Sequence, residues 1–187
     1  MNLWKITSIV LLGLLVSCEE ANTLDGSNLV INGDFESSAD GVNPDDWPSN
    51  YIPGSGLPGQ FIIDSLIVYS GSYSLKALRY SQDGDGDAFI KQPISTANLV
   101  DGGKYVLSGF TKSNESEVLS IGLEAYVNGN QEFYANSNNA GNSDWLEISG
   151  TFTFSDNMLN LAIWLSMGGP MPSEDTGWFD NIQLVGQ

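Results

Sequence analysis

Carboxylate side chains lie beside short apolar segments near both ends of the 187-residue sequence. Asp34 and Glu36 belong to the segment Asn28–Glu36, and Asp180 belongs to Trp178–Val185. Both segments have the pattern of a short strand, and their acids would come together in a β-sandwich whose terminal strands meet. Ca²⁺ binds about six to eight oxygen ligands, including carboxylates and turn carbonyls, and would offset the repulsion between these acids. The alternative is that the acids cap turns or face solvent.

A second group of residues combines aromatic rings with planar polar groups. Sugar rings stack their C–H surfaces on aromatic faces, while amides and carboxylates bond pairs of hydroxyl groups. Trp164 and Tyr126 are large aromatic residues in alternating apolar segments, and Gln131 follows Tyr126 closely. Further candidates for the same surface are Glu124, Phe110 and Gln92. These residues predict a glycan-binding surface, although Trp164 and Tyr126 could instead lie under a loop or against a neighbouring domain.

The elements that position these side chains are predicted to be β-strands. Apolar residues occupy every second position from Leu119 to Val127, and again from Leu159 to Met167. This period of two indicates strands with one buried face, and it places Trp164 on the opposite face. Further strand patterns cover Tyr73–Tyr80, Tyr105–Thr111 and Ile148–Phe154. Gly and Asn clusters such as Asn136–Asn142 indicate loops between them, so the pattern as a whole predicts an all-β, antiparallel sandwich.

A tight hairpin is predicted to fix the position of the candidate binding residues. Asn128-Gly129 favours a type I′ turn, because this turn needs a positive φ at both of its central residues. A two-residue loop makes Tyr126 face Gln131 and makes Glu124 face Phe133. Tyr126 and Gln131 therefore share the face opposite to the aliphatic side chains.

The first 17 residues are predicted to be a lipoprotein signal peptide. Lys5 precedes the apolar run Ile6–Val16, which at about eleven residues is shorter than the roughly 20 that a spanning helix needs. Leu15–Cys18 resembles a bacterial lipobox, and Cys18 is the only cysteine, so acylation of Cys18 is the expected use of this thiol. The alternative for this segment is a short membrane anchor.

Three parts of the chain follow from this prediction. Residues 1–17 are the signal peptide, residues 18–27 are the lipidated cysteine and its tether, and residues 28–187 form one sandwich domain. Lipid chains on one cysteine can anchor a protein without a transmembrane segment. Glu19 and Glu20 resemble the surface-export signal of Bacteroidetes lipoproteins. The expected location is therefore the bacterial outer membrane, with the domain exposed at the surface.

Acidic residues dominate the charge of the chain. Removal of the signal peptide with Lys5 leaves five basic residues against 23 acidic ones, and there is no histidine. Such a surface repels phosphate backbones, so nucleic acid is excluded as a partner. The segment Asp83–Asp87 has alternating carboxylates like the start of an EF-hand loop, but Ile94 occupies the place of the bidentate Glu. We interpret this segment as a solvated loop.

Two other functions compete with glycan binding. Glycosidases use two carboxylates about 5 to 9.5 Å apart, and Glu124 is the only acid that the alternation places on the candidate face. The absence of histidine excludes histidine-based triads and histidine metal sites. Catalysis is therefore the minor alternative. An adhesin or assembly subunit could instead use the same sheet for protein contacts.

A series of motifs resembles CenC-type carbohydrate-binding modules. In chain order they are Asn28–Glu36, Trp47, Tyr69–Leu75, Gly103–Ser108, Gly150–Phe154 and Phe179–Leu184. The chain is similar to families four, nine and twenty-two of these modules, and the resemblance extends from Asn28 to Val185. It implies a galactose-binding-like jelly roll that binds glycans and often holds a structural calcium ion. The motif positions imply that Phe35 and Trp47 are buried in the core, and Phe152 and Phe154 alternate with polar residues as buried side chains do.

The resemblance also implies which oxygen atoms would bind calcium. Glu36 and Asp180 are the first candidates. Asp34 and the carbonyl groups around Gly71 and Ser72 are the further donors.

Overall fold

The computed structural model describes residues 26–51, 60–79, 88–113, 118–140, 144–168 and 175–187. The signal peptide, Cys18 and the acidic segment Asp83–Asp87 lie outside these ranges and stay predictions. Within the described ranges, no helix has the length and hydropathy that crossing a bilayer requires.

The described residues form ten strands and one short 3₁₀ helix. The strands are β1 (Ser49–Tyr51), β2 (Gln60–Asp64), β3 (Ser74–Arg79), β4 (Ala88–Pro93), β5 (Lys104–Ser113), β6 (Val118–Val127), β7 (Asn130–Ala140), β8 (Leu146–Thr153), β9 (Met158–Gly168) and β10 (Asp175–Gly186), and the helix is Thr96–Asn98. The first sheet has the order β1-β4-β9-β6-β7, and the second has the order β2-β3-β10-β5-β8. Every strand pair in the described ranges is antiparallel, which confirms the predicted all-β antiparallel sandwich.

The core lies between the inner faces of the two sheets. Phe35, Trp47, Phe152 and Phe154 are all buried in it, as the sequence predicted. The largest fully buried side chains are Tyr105, Phe35, Phe61, Phe179, Leu75, Ile90, Leu107, Leu119, Ile121, Leu123, Leu161 and Ile163. Burial of these apolar surfaces is the main stabilising contribution, at roughly 25 cal/mol for each Å² removed from water.

The predicted hairpin forms with the predicted register. Tyr126 pairs with Gln131 and Glu124 pairs with Phe133, around a turn in which Asn128 and Gly129 have φ values of 52° and 82°. The prediction of a loop over Asn136–Asn142 is wrong for its first five residues, because β7 continues to Ala140. Pairing with β6 overrides the low strand propensity of the Asn residues there.

Two bulges interrupt the alternation that the sequence suggested. In β9 the register with β6 shifts beside Asn160, which has a φ of 51°, and in β7 it shifts beside Ala135, which has a φ of 47°. A bulge adds one residue to one strand, so the side chains on its two sides follow opposite alternations between the faces of the sheet. Leu159, predicted on the buried face, is 59% exposed, and Met158 is buried instead.

The two ends of the domain meet, as the sequence predicted, but the first end is not a strand. Residues 31–34 form a turn, in which Asn32 has a φ of 49°. The N–H of Leu29 donates to the carbonyl of Leu184 at 2.9 Å, and the N–H of Ile182 donates to the carbonyl of Gly33 at 2.7 Å. The N-terminal segment therefore lies along β10 and is held by it.

Candidate functional site

An indole ring forms the centre of the outer face of the first sheet. Trp164 in β9 pairs with Gly122 in β6 and with Lys91 in β4. The ring lies directly over Gly122, where a Cβ atom would overlap it. We call this surface the Trp164 face, and its residues are Phe89, Lys91, Glu124, Tyr126, Gln131, Phe133 and Trp164.

Two further rings surround the indole. Phe89 and Phe133 place ring centroids 6.1 Å and 6.2 Å from that of Trp164, at interplanar angles of 72° and 90°. Trp164 itself is only 7% exposed, while Phe133 is 59% exposed and Tyr126 is 37% exposed. Trp164 therefore supports the face from below, and the rings of Phe133 and Tyr126 are its accessible aromatic surface.

A polar network lies beside these rings. Lys91 Nζ donates to both carboxylate oxygens of Glu124 at 2.8 Å, and Gln131 Nε2 donates to Glu124 Oε2 at 2.8 Å. Glu124 is buried, where an uncompensated charge would be costly. The ion pair with Lys91 and the hydrogen bond from the Gln131 amide compensate its charge. Gln131 is exposed at the surface of the face.

The indole N–H of Trp164 lacks an acceptor. Among the described residues, Trp164 Nε1 is the buried side-chain polar atom without a hydrogen-bond partner. A buried donor left unpaired costs about 1–3 kcal/mol. This N–H lies over Gly122, within the packing of the ring on the sheet.

Two predicted members of the face lie elsewhere. Gln92 points to the core side of β4, where Nε2 donates to the carbonyls of Ile31 and Asp46 at 2.7 and 3.1 Å, and Oε1 accepts from the N–H of Ile31 at 2.9 Å. It fastens the N-terminal segment to the first sheet. Phe110 belongs to β5 in the second sheet, because alternation assigns a face of a strand but does not assign the sheet.

Three members of the face were missed by the sequence reasoning. The hairpin register already placed Phe133 opposite Glu124, so the same signal could have identified it. Phe89 and Lys91 alternate with buried Ala88 and Ile90 in β4, a short strand pattern that is visible in the sequence. The polar Gln92 obscures this pattern, because it is buried where an apolar residue is expected.

The carboxylates predicted to bind calcium converge on the loop before β3. Asp180 Oδ2 accepts from the N–H groups of Tyr69 and Ser70, both at 3.0 Å. Glu36 Oε1 accepts from the N–H groups of Ser72 and Tyr73 at 2.7 and 2.9 Å. Two acids that are far apart in the sequence therefore hold one loop.

The other predicted donors lie next to this pair. Gly71, with a φ of 70°, has no room for a Cβ atom because the Glu36 carboxylate occupies that space. Ser72 faces Glu36 with its N–H group, and the exposed Asp34 accepts from the N–H of Glu36 at 3.5 Å. No group of three or more Asp, Glu, His or Cys side chains suited to a metal occurs in the described part of the chain.

Asp180 has an unusual pKa. Burial of the side chain raises its pKa to about 6, and the negative charge of Glu36 also raises it, while N–H groups of Ser70, Tyr69 and Asn181 oppose the shift. The carboxylates of Asp180 and Glu36 are thus close enough to repel each other. Carboxylate oxygens are the hard donors that Ca²⁺ prefers. In this structure both oxygens of Asp180 and Oε1 of Glu36 already accept hydrogen bonds from backbone N–H groups.

A ten-stranded antiparallel sandwich with aromatic and polar side chains on an outer sheet face is typical of the jelly-roll binding modules. Residues 27–173 match the family described as "Carbohydrate binding domain" (CBM_4_9). The chain belongs to this family. No curated protein sequence matches the chain.

Solved structures of carbohydrate-binding modules share this fold. A family 16 carbohydrate-binding module superposes with a TM-score of 0.59 at 18% identity, over 84% of this chain and 99% of that one. The CBM22-1 xylan-binding domain of Paenibacillus barcinonensis Xyn10C gives a TM-score of 0.61 at 14% identity, over 86% of this chain and 95% of that one. TmCBM61, solved with β-1,4-galactotriose, gives a TM-score of 0.55 at 15% identity, over 86% of this chain and 99% of that one. These likenesses confirm the predicted jelly-roll fold.

Proposed function

We propose that this protein binds a neutral polysaccharide or oligosaccharide through the Trp164 face and does not cleave it. The observation that carries the proposal is the pair of exposed rings, Phe133 and Tyr126, beside the amide of Gln131. Rings of this kind can stack on the C–H surface of a sugar while the amide bonds its hydroxyls.

The charges of the face favour a neutral ligand. Lys91 is the only Lys or Arg in the strands of the first sheet, and it is paired with Glu124. A uronic acid would therefore meet no free cation here, in a protein whose net charge is −17. Binding an anion without a partner charge is unfavourable.

The same network argues against a glycosidase. A retaining or inverting enzyme needs two carboxylates about 5 to 9.5 Å apart. On the described part of the Trp164 face, Glu124 is the one carboxylate, and both of its oxygens accept hydrogen bonds from Lys91.

Binding of the full chain to a glycan array tests this proposal. The array carries xylohexaose, β-1,4-galactotriose and other neutral oligosaccharides beside oligogalacturonides, and we expect binding to neutral members alone. Phe133→Ala and Tyr126→Ala should each weaken binding about tenfold, the equivalent of one lost ring stack. Tyr73→Ala is the matched control, since Tyr73 is 39% exposed but precedes β3 of the second sheet.

Each alternative has its own outcome on this array. Binding to no glycan would refute the proposal and would favour a protein-contact role for the face. Release of shorter oligosaccharides that depends on Glu124 would instead indicate a glycosidase.

We also propose that calcium binds between Glu36 and Asp180. The raised pKa of Asp180 supports the proposal, because a cation would relieve the repulsion that Glu36 adds. The ion would link the N-terminal segment, the loop before β3 and β10. Millimolar calcium should raise the melting temperature, and should do so much less in Asp180→Asn. An unchanged melting temperature in the wild type would contradict the site.

The remaining proposal concerns location. We propose that Cys18 is acylated and that the domain is exposed on the outer membrane, on the basis of the lipobox-like residues before it. Metabolic labelling with a fatty acid should mark the wild type but not Cys18→Ala. Labelled protein that resists protease added to whole cells would contradict the surface location.

A further inference from the structure

The outer face of the second sheet carries its own aromatic cluster. Tyr69 stacks on Phe110 with ring centroids 3.6 Å apart and an interplanar angle of 13°. The ring centroid of Trp145 lies 5.9 Å from that of Tyr69, with an interplanar angle of 63°. We call these three residues the Tyr69 cluster. It lies on the opposite side of the sandwich from the Trp164 face.

Hydrogen bonds hold Tyr69 in place. Its backbone N–H donates to Asp180 Oδ2, and Asp180 is fully buried in β10. Phe110, the ring underneath, pairs across β5 and β10 with the same Asp180. The backbone hydrogen bond and the stack on Phe110 together position the Tyr69 ring before any ligand arrives, which lowers the entropy cost of binding.

Part of Tyr69 remains accessible to solvent. Phe110 covers one face of its ring, yet the residue is still 43% exposed. The half-buried Trp145 forms a wall at a steep angle to it. A flat ring with a second ring beside it matches the shape of one sugar unit, which can stack on the first ring and contact the second.

We propose that the Tyr69 cluster is a second glycan-binding site. The inference rests on the proposed function, since it assigns the same class of neutral ligand to a second surface. One partly exposed ring with a second ring beside it has the extent of a single sugar unit, whereas a stable protein interface buries about 800 Å² on each partner.

Two sites on opposite faces would change how the protein holds a polysaccharide. One molecule could bind two glycan chains, or two parts of one chain. Two linked sites give an avidity that exceeds the affinity of either one, provided that both can be occupied together.

Titration calorimetry of the full chain tests this inference, with xylohexaose and β-1,4-galactotriose as the probes, joined by any neutral oligosaccharide that the array identifies. We expect about two sites per wild-type molecule. Tyr69→Ala and Trp145→Ala should each leave about one site with the wild-type affinity, and so should Phe133→Ala on the Trp164 face, because the altered site binds about tenfold more weakly. Val42→Ala is the control, since Val42 is 50% exposed and belongs to neither surface, and it should keep both sites. Tyr69→Trp retains a flat ring and should also keep two sites. Loss of one site in Tyr69→Ala but not in Tyr69→Trp would show that the loss comes from the missing ring and not from a folding defect.

The outcomes separate the second site from the proposed function. One site in the wild type, lost in Phe133→Ala and unaffected by Tyr69→Ala, would overturn the second site and leave the Trp164 face intact. One site that is lost in Tyr69→Ala alone would retain the Tyr69 cluster and refute the Trp164 face. Absence of binding to every oligosaccharide on the array would refute both.

Discussion

Gly122 is the position where one added methyl group should disturb the Trp164 face most directly. A Cβ atom there would overlap three atoms of the Trp164 ring, namely Cε2, Cζ2 and Nε1. The backbone at Gly122 is an ordinary strand without a positive φ, so alanine is acceptable to the chain itself. Any cost of Gly122→Ala must therefore come from the ring.

The expected cost follows from two opposing contributions. Replacing a strand glycine by alanine stabilises a protein by about 0.5–1 kcal/mol when nothing obstructs the methyl group. Overpacking a well-packed site costs about 1–3 kcal/mol. Since Phe89 and Phe133 flank the ring and restrict its movement, we expect a net loss of about 1–2 kcal/mol in the free energy of unfolding.

Urea unfolding of a double-mutant cycle measures this contribution. In a Trp164→Ala background the obstructing ring is gone, so Gly122→Ala should become neutral or slightly stabilising. Trp164→Leu provides a second background if the larger truncation prevents folding. A Gly122→Ala variant as stable as the wild type, or an equal cost in both backgrounds, would refute the packing of Trp164 on Gly122.

Three further predictions concern other parts of the structure. Lys91→Met should destabilise the fold by roughly 1–3 kcal/mol because it leaves the buried Glu124 carboxylate with the Gln131 amide but without a counter-charge, and adding Glu124→Leu should restore most of the loss in urea unfolding. In a calcium chelator, lowering the pH from 7 to 4 should stabilise the wild type by roughly 2 kcal/mol relative to Asp180→Asn, because the raised pKa of Asp180 favours protonation in the folded state. Parallel pH profiles for these two proteins would contradict the shift, and bound calcium should reverse its sign. Gly129→Ala should lower the free energy of unfolding by about 1 kcal/mol. Gly129 has a φ of 82° and open space around it, so the cost would come from backbone strain and not from a steric overlap. Equal stability of this variant and the wild type in urea unfolding would contradict a strained backbone at this turn.

Local patterns predicted those parts of the fold that local chemistry decides. The turn at Asn128-Gly129 fixed the register of β6 and β7, because few other sequences accept two positive φ values in succession. Alternation also placed Trp164 and Tyr126 on an outer face. These features depend on neighbours in the sequence, so a single sequence is sufficient to predict them.

Contacts between distant segments could not be predicted in the same way. Phe110 alternates correctly in its strand, but only the packing of whole sheets decides that it lies opposite Tyr69. Gln92 is polar and was expected on the outer face. It is buried because it bonds Ile31 and Asp46, and the N-terminal segment that contains them has no strand pattern from which this contact could be predicted. Tyr69 and Trp145 lie outside the strands, where alternation gives no information about direction.

The bulge at Asn160 connects this failure of pattern to the candidate function. It reverses the direction of the side chains before it in β9, so that Leu159 becomes exposed and pairs across the sheet with Tyr126. A regular strand would have buried Leu159 and left Tyr126 beside Asn160 instead. Bulges bend a strand and increase its local twist, and they recur where a sheet must aim side chains at a ligand. The bulge that interrupts the alternation thus adds the apolar side chain of Leu159 beside Tyr126, at the end of the Trp164 face.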